Sequence, residues 1–127
     1  MTQVPVAIVG VGALFPGSPD GAGFWRDIVA SRDLVSDVPP GHWLIEDYYD
    51  PDPSAPDKTY SKRGAFLGET AFDPLEFGVM PSSLPTTDTA QLLALIVARR
   101  VLDNATQGRF ASIDRSRIGV VLGVTSG

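Results

Sequence analysis

An α/β fold built on a mostly parallel sheet is predicted by three observations. Val6-Ala7-Ile8-Val9-Gly10-Val11 is an unbroken apolar, β-branched run closed by glycine, the pattern of a strand buried on both faces. A second run of this kind, Ile118-Gly119-Val120-Val121-Leu122-Gly123-Val124, stands at the far end of the chain. Between them a long helix is expected from Asp88 to Asn104, apolar around most of its circumference. The 127 residues are enough for one domain or a piece of one, and a chain of this size buries only about two-thirds of its unfolded surface.

After the first strand, Gly12, Pro16, Gly17 and Pro19 mark a loop. Phe24, Trp25, Ile28 and Val29 then recur at i, i+1, i+4 and i+5 behind Asp20, which predicts a capped amphipathic helix of about three turns. Residues 39–56 change character, with Pro39, Pro40, Pro51, Pro53 and Pro56 set among Trp43, Tyr48, Tyr49 and acidic side chains. Prolines remove amide donors and fix φ, which excludes a central strand or a long helix. An ordered surface excursion anchored by its aromatics is expected instead. Gly64-Ala65-Phe66-Leu67 reads as extended, and Phe72-Asp73-Pro74 opens a short segment that ends near Pro81 and Pro85.

Asp88 stands three residues before Gln91, an arrangement like a capping box, and Leu92, Leu93, Leu95, Ile96, Val97, Val101 and Leu102 follow. Such a helix needs burial on several sides, in a large core or at a subunit interface. Arg99 and Arg100 suit its C-terminal half, where the helix dipole favours cations. The final apolar run lacks a following crossover, from which an incomplete sheet is expected.

Composition narrows the function classes. With 43% apolar and 20% charged residues the chain reads as globular. Its net charge of -5 and scattered cations argue against nucleic acid. It has neither a stretch long enough to span a membrane nor a secretory leader pattern, so a cytoplasmic location is expected. It contains no cysteine, which removes disulfides, thiolate metal sites and a thiol nucleophile from these residues.

No motif supplies a catalytic, cofactor-binding or metal-binding set. Gly10-Val11-Gly12 begins like a dinucleotide fingerprint, but its third glycine is replaced by Phe15. A plain strand-to-loop turn is the better reading. Asp50, Asp52 and Asp57 have the chemistry of calcium ligands, yet an EF-hand loop begun at Asp50 would lack its glycine and its terminal glutamate. Solvated carboxylates are expected there. His42, the sole histidine, reads as a surface or hydrogen-bonded residue beside Trp43. Lys58, Lys62 and Arg63 have the charge to meet an acidic protein or a phosphate, against the plainer reading of salt bridges to the acidic loop. Ser126 with Gly127 does not complete a nucleophile elbow, because Gly123 is one position too early.

Several segments in order carry a resemblance. Residues 6–12 with Phe15-Pro16-Gly17 are followed by Phe24-Trp25, Val38-Pro39-Pro40 with Trp43, and Tyr48-Tyr49-Asp50-Pro51-Asp52. Lys58-Thr59-Tyr60, Arg63-Gly64 and Phe66-Leu67 come next. Phe72-Asp73-Pro74, Phe77-Gly78, Thr87-Asp88-Thr89-Ala90-Gln91-Leu92-Leu93 and Gly119-Val120-Val121-Leu122-Gly123 complete the series. Together they resemble the N-terminal portion of a β-ketoacyl synthase domain of polyketide and polyunsaturated fatty acid synthases. The Thr87-Asp88-Thr89-Ala90-Gln91 segment departs from the start of this helix in modular polyketide synthases and, with Lys58-Thr59-Tyr60-Ser61-Lys62-Arg63-Gly64, looks more like the iterative polyunsaturated fatty acid or enediyne synthase branch.

The resemblance implies an incomplete thiolase-like fold, with residues 1–127 as the N-terminal segment of a single domain whose catalytic part lies elsewhere. It implies decarboxylative Claisen condensation by the complete domain, with a cysteine nucleophile and two histidines that have no counterpart here. It implies no activity for this chain alone. The implied partners are the remainder of the synthase, an acyl carrier protein bearing phosphopantetheine, and a second protomer met through the helix from Asp88 to Asn104. The competing expectation is a stand-alone, non-catalytic dimerisation module associated with such a synthase.

Overall fold

The computed structural model describes residues 4–123. Helix α1 spans Gly21–Val29, two and a half turns, close to the expected helix. Asp20 caps it by accepting the Gly23 amide at 2.7 Å. The stripe it buries differs from the apolar stripe. Gly23 and Asp27 face inward, and Phe24 stacks on Phe15 with centroids 4.0 Å apart. Trp25, Ile28 and Val29 are 65%, 50% and 67% exposed.

A polar network sets this orientation. Residues 15 and 18 exchange backbone hydrogen bonds of 3.0 Å around Pro16-Gly17, which turns the Ser18 hydroxyl onto the Asp27 carboxylate. Asp27 also accepts from Arg32 at 2.9 Å. Ser18 and Asp27 are both buried, so each must find a partner or carry a desolvation cost.

The predicted parallel sheet is not present among the described residues. The only sheet there is antiparallel, pairing β1, Ser36–Asp37, with β2, Arg63–Gly64. It extends through the Val38 amide, which donates to Lys62 at 2.8 Å and brings Val38 into the core. Residues 6–11 and 118–123 are in no regular element, because a strand exists only by pairing and none of the described residues lies alongside either run in a ladder. Val6, Ile8, Val120 and Val121 are each more than three-quarters exposed. Val124 lies outside the described residues.

Between the strands the excursion forms as expected from its prolines. Helix α2, Ile45–Tyr48, is a single turn, and Trp43 meets Tyr48 edge to face. The Thr59 amide donates to the Tyr48 carbonyl at 2.7 Å and the Asp50 amide to the Thr59 carbonyl at 3.0 Å, closing the loop at its base. Farther on, Phe72 stacks on Phe77 at 4.9 Å, and Pro81–Thr86 forms a 3-10 helix around Pro85.

Helix α3 runs Thr89–Thr106 behind Asp88, whose carboxylate accepts the Ala90 amide at 2.7 Å. The Asp88 side chain thus caps Ala90 rather than Gln91, whose amide donates to the Asp88 backbone carbonyl at 3.0 Å. The helix ends where Gln107 turns left-handed and the Gly108 amide reaches back to the Asp103 carbonyl at 3.0 Å. Arg99 and Arg100 do not serve the helix dipole, since neither is in the last turn. Arg99 instead binds Glu76 at 3.1 Å and Asp103 at 2.9 Å. The polar stretch after α3 adds two 3-10 turns, Phe110–Ser112 and Arg115–Arg117.

Burial of α3 on several sides is not reached within this chain. Ile96 is its one buried apolar residue, and Leu95 is 38% exposed. Residues 10–12 cover one flank of the helix and Phe110–Ser112 touches another. The total accessible surface is 10529 Å², against roughly 6,500 Å² for a compact protein of this mass.

The glycines of the first run are explained by packing. A Cβ on Gly12 would lie 2.6 Å from Val101 Cγ2 and 2.9 Å from the Val101 amide nitrogen, and one on Gly10 2.7 Å from Ala105 Cβ. Helix backbone cannot yield to such contacts. Gly12→Ala is expected to lose about 1–3 kcal/mol by overpacking, whereas Gly119→Ala, with nothing within 4 Å, should leave the urea midpoint unchanged. Asp27→Ala strands the buried Ser18 hydroxyl, and a loss of about 1–3 kcal/mol in the same unfolding measurement is expected.

Candidate functional site

The polar residues most engaged in positioning lie on α3. Arg100 and Asn104 are one helical turn apart, so their side chains share a face. The Arg100 guanidinium donates to the Ala13 carbonyl at 3.2 Å and to the Pro19 carbonyl. Asn104 Oδ1 accepts the Val11 amide at 3.2 Å. With Gly12 and Pro19 they line a cleft of about 360 Å³ between the first run, the start of α1 and α3.

A dinucleotide phosphate has no cradle in this cleft. The glycines spend their missing Cβ atoms on α3, and the one cation near them is held by two backbone carbonyls. Sequence reasoning missed Arg100 and Asn104 as a pair. Their signal was a polar i, i+4 couple in the C-terminal half of the helix, beside the Arg99 and Asp103 couple.

A larger groove of about 410 Å³ runs beside α3, lined in part by Phe77, Leu95, Arg99, Leu102, Phe110 and Arg115. Its cations are also occupied. Arg99 is held by Glu76 and Asp103, and Arg115 lies 5.1 Å from the centre of the Phe110 ring.

The basic group of the sequence is spread among separate partners. The Lys58 ammonium donates to the Asp47 carbonyl, and Lys62 sits 5.6 Å from the Tyr49 ring centre. Arg63 donates to the Val35 carbonyl at 3.0 Å and stands 3.8 Å from both Asp33 and Asp37. Only Arg63 forms carboxylate pairs, and they lie upstream of the acidic excursion. His42 is exposed and meets the edge of Phe66 at 4.9 Å rather than Trp43.

The acidic tip is folded on itself. Asp50 accepts the Asp52 amide at 2.9 Å, and Asp52 accepts the Ser54 amide at 2.9 Å and its hydroxyl at 2.8 Å. These are successive side-chain turns of the kind aspartate favours. Among the described residues no three His, Cys, Asp or Glu side chains group as metal ligands. Ser126 and Gly127 lie outside the described residues.

Asp52 and Asp114 are held below the ordinary aspartate range. At Asp52 the Ser54 amide is the larger cause and the Ser54 hydroxyl the smaller. At Asp114 the order reverses, with the Ser116 hydroxyl leading. A depressed carboxylate contributes stability above its unfolded pKa and loses it as pH falls through the folded one, so both turns weaken at acid pH. Ser116→Ala removes the larger cause at Asp114 and Ser54→Ala the smaller one at Asp52, and each is expected to raise the titration of its own aspartate. Carboxyl carbon shifts followed by NMR across the acid range would decide it, and an aspartate whose titration does not move when its serine is replaced would refute the role of that hydroxyl.

Comparison with known proteins places these elements in a family. Residues 3–127 match the family of the β-ketoacyl synthase N-terminal domain. A phenolphthiocerol synthesis type I polyketide synthase of Mycobacterium bovis is 46% identical over 104 residues, which are 80% of this chain and 5% of that protein. A spectinabilin polyketide synthase system protein of Streptomyces orinoci is 39% identical over 126 residues, covering 95% of this chain and 5% of its own length.

Solved structures agree. An oxazolomycin ketosynthase domain from Streptomyces albus aligns with a TM-score of 0.71 and 37% identity, covering 76% of this chain and 17% of its own. A ketosynthase from module 6 of the bacillaene synthase of Bacillus subtilis gives 0.65 and 28%, over 76% of this chain and 16% of its own. The present chain therefore spans a small part of each relative, and it belongs to the β-ketoacyl synthase family, within the region of that family's N-terminal domain.

Proposed function

We propose that this chain is the N-terminal part of a ketosynthase that, in its complete form, extends acyl chains by decarboxylative condensation in polyketide synthesis. The observation that carries the proposal is the match of residues 3–127 to the ketosynthase N-terminal family, joined to a TM-score of 0.71 at 37% identity with a ketosynthase domain. The relatives reported above are polyketide synthases, which favours that product class over polyunsaturated fatty acids.

In the proposed reaction a cysteine thiolate holds the growing chain as a thioester, because a thiolate is both a good nucleophile and a good leaving group. Loss of carbon dioxide from a malonyl group on a phosphopantetheine-bearing carrier protein leaves an enolate. Its carbon attacks the thioester carbonyl, the new carbon–carbon bond forms, and the thiolate departs with the electron pair of the carbon–sulfur bond. Hydrogen-bond donors aimed at the enolate and tetrahedral oxygens lower both barriers. With no cysteine and one exposed histidine, residues 1–127 supply none of these groups. Their proposed contribution is scaffold: two apolar runs for a parallel sheet, and α3 with its clasp on the first run.

The exposed apolar side chains support this division of labour. Val6, Ile8, Val120 and Val121 are of a kind that completes a sheet covered on both faces. Leu95 on α3, 38% exposed, fits contact with a second protomer. In the complete enzyme Leu95→Asp is expected to shift dimer toward monomer in sedimentation, and an unchanged dimer would remove α3 from the interface.

The same exposed area also favours the second reading, a stand-alone module that associates with a synthase without catalysing anything. Mass distinguishes the two. An antibody raised to residues 39–56 should detect a species far above 13.5 kDa in the source cell, and condensation should be at background when the 127 residues are assayed alone. A stable native product at 13.5 kDa would overturn the first reading in favour of the second.

A further inference from the structure

We draw no further inference here: the strongest candidate, the exposed apolar stripe of Trp25, Ile28 and Val29 on the outer face of α1, carries nothing because nothing in the structure shows what covers it.

Discussion

Residues 10–12 approach α3 more closely than any side chain bearing a Cβ would allow, and the placement of the N-terminal run follows from that contact. Two glycines clear the space over Val101 and Ala105. The polar groups that a bare backbone would otherwise leave unmatched are taken by the helix, through Asn104 to the Val11 amide and Arg100 to the carbonyls beyond it. Steric clearance alone would let the run slide. Fixed donors and acceptors one turn apart favour a single register, each of these exposed or half-buried bonds contributing about 0.5–1.5 kcal/mol net.

The clasp also connects α1 to α3. Arg100 binds the carbonyl of Pro19, one residue before the Asp20 cap, while the turn at residues 15–18 delivers Ser18 to Asp27 on the first helix. The chain from Gly10 to Arg32 is thus held by polar contacts at both ends. That explains why α1 turns a carboxylate inward and a tryptophan outward, against its apolar periodicity. A buried charge must keep its partners, and here Ser18 and Arg32 dictate where Asp27 lies.

Local rules made much of this legible in the residues. Asp20 and Asp88 marked the starts of α1 and α3, and the prolines of residues 39–56 marked a loop that neither strand nor long helix enters. The first apolar run was read as a buried strand, whereas in the structure it is neither paired nor buried. Pairing is non-local, and hydrophobic pattern records only the burial a segment requires. The short antiparallel pair at 36–37 and 63–64 left no periodic trace, because two residues cannot display a period of two. Gly10 and Gly12 were noticed for turn geometry, whereas the structure uses them for helix contact. Distinguishing those uses needs the position of Val101, which no pattern within residues 6–12 contains.

Polar contacts dominate the organisation of this segment. Its organising interactions are hydrogen bonds, each worth only about 0.5–1.5 kcal/mol net, and these set geometry more than they lower free energy. Apolar burial is the dominant favourable term in folding, and among the described residues only Val38 and Ile96 are buried hydrophobics. The valines and isoleucines of the two apolar runs carry apolar surface that is not buried among the described residues. The clasp and the apolar runs therefore stand at opposite extremes of one segment: the clasp fixes a register through polar contacts, while the runs beside it expose side chains of the kind that burial would stabilise.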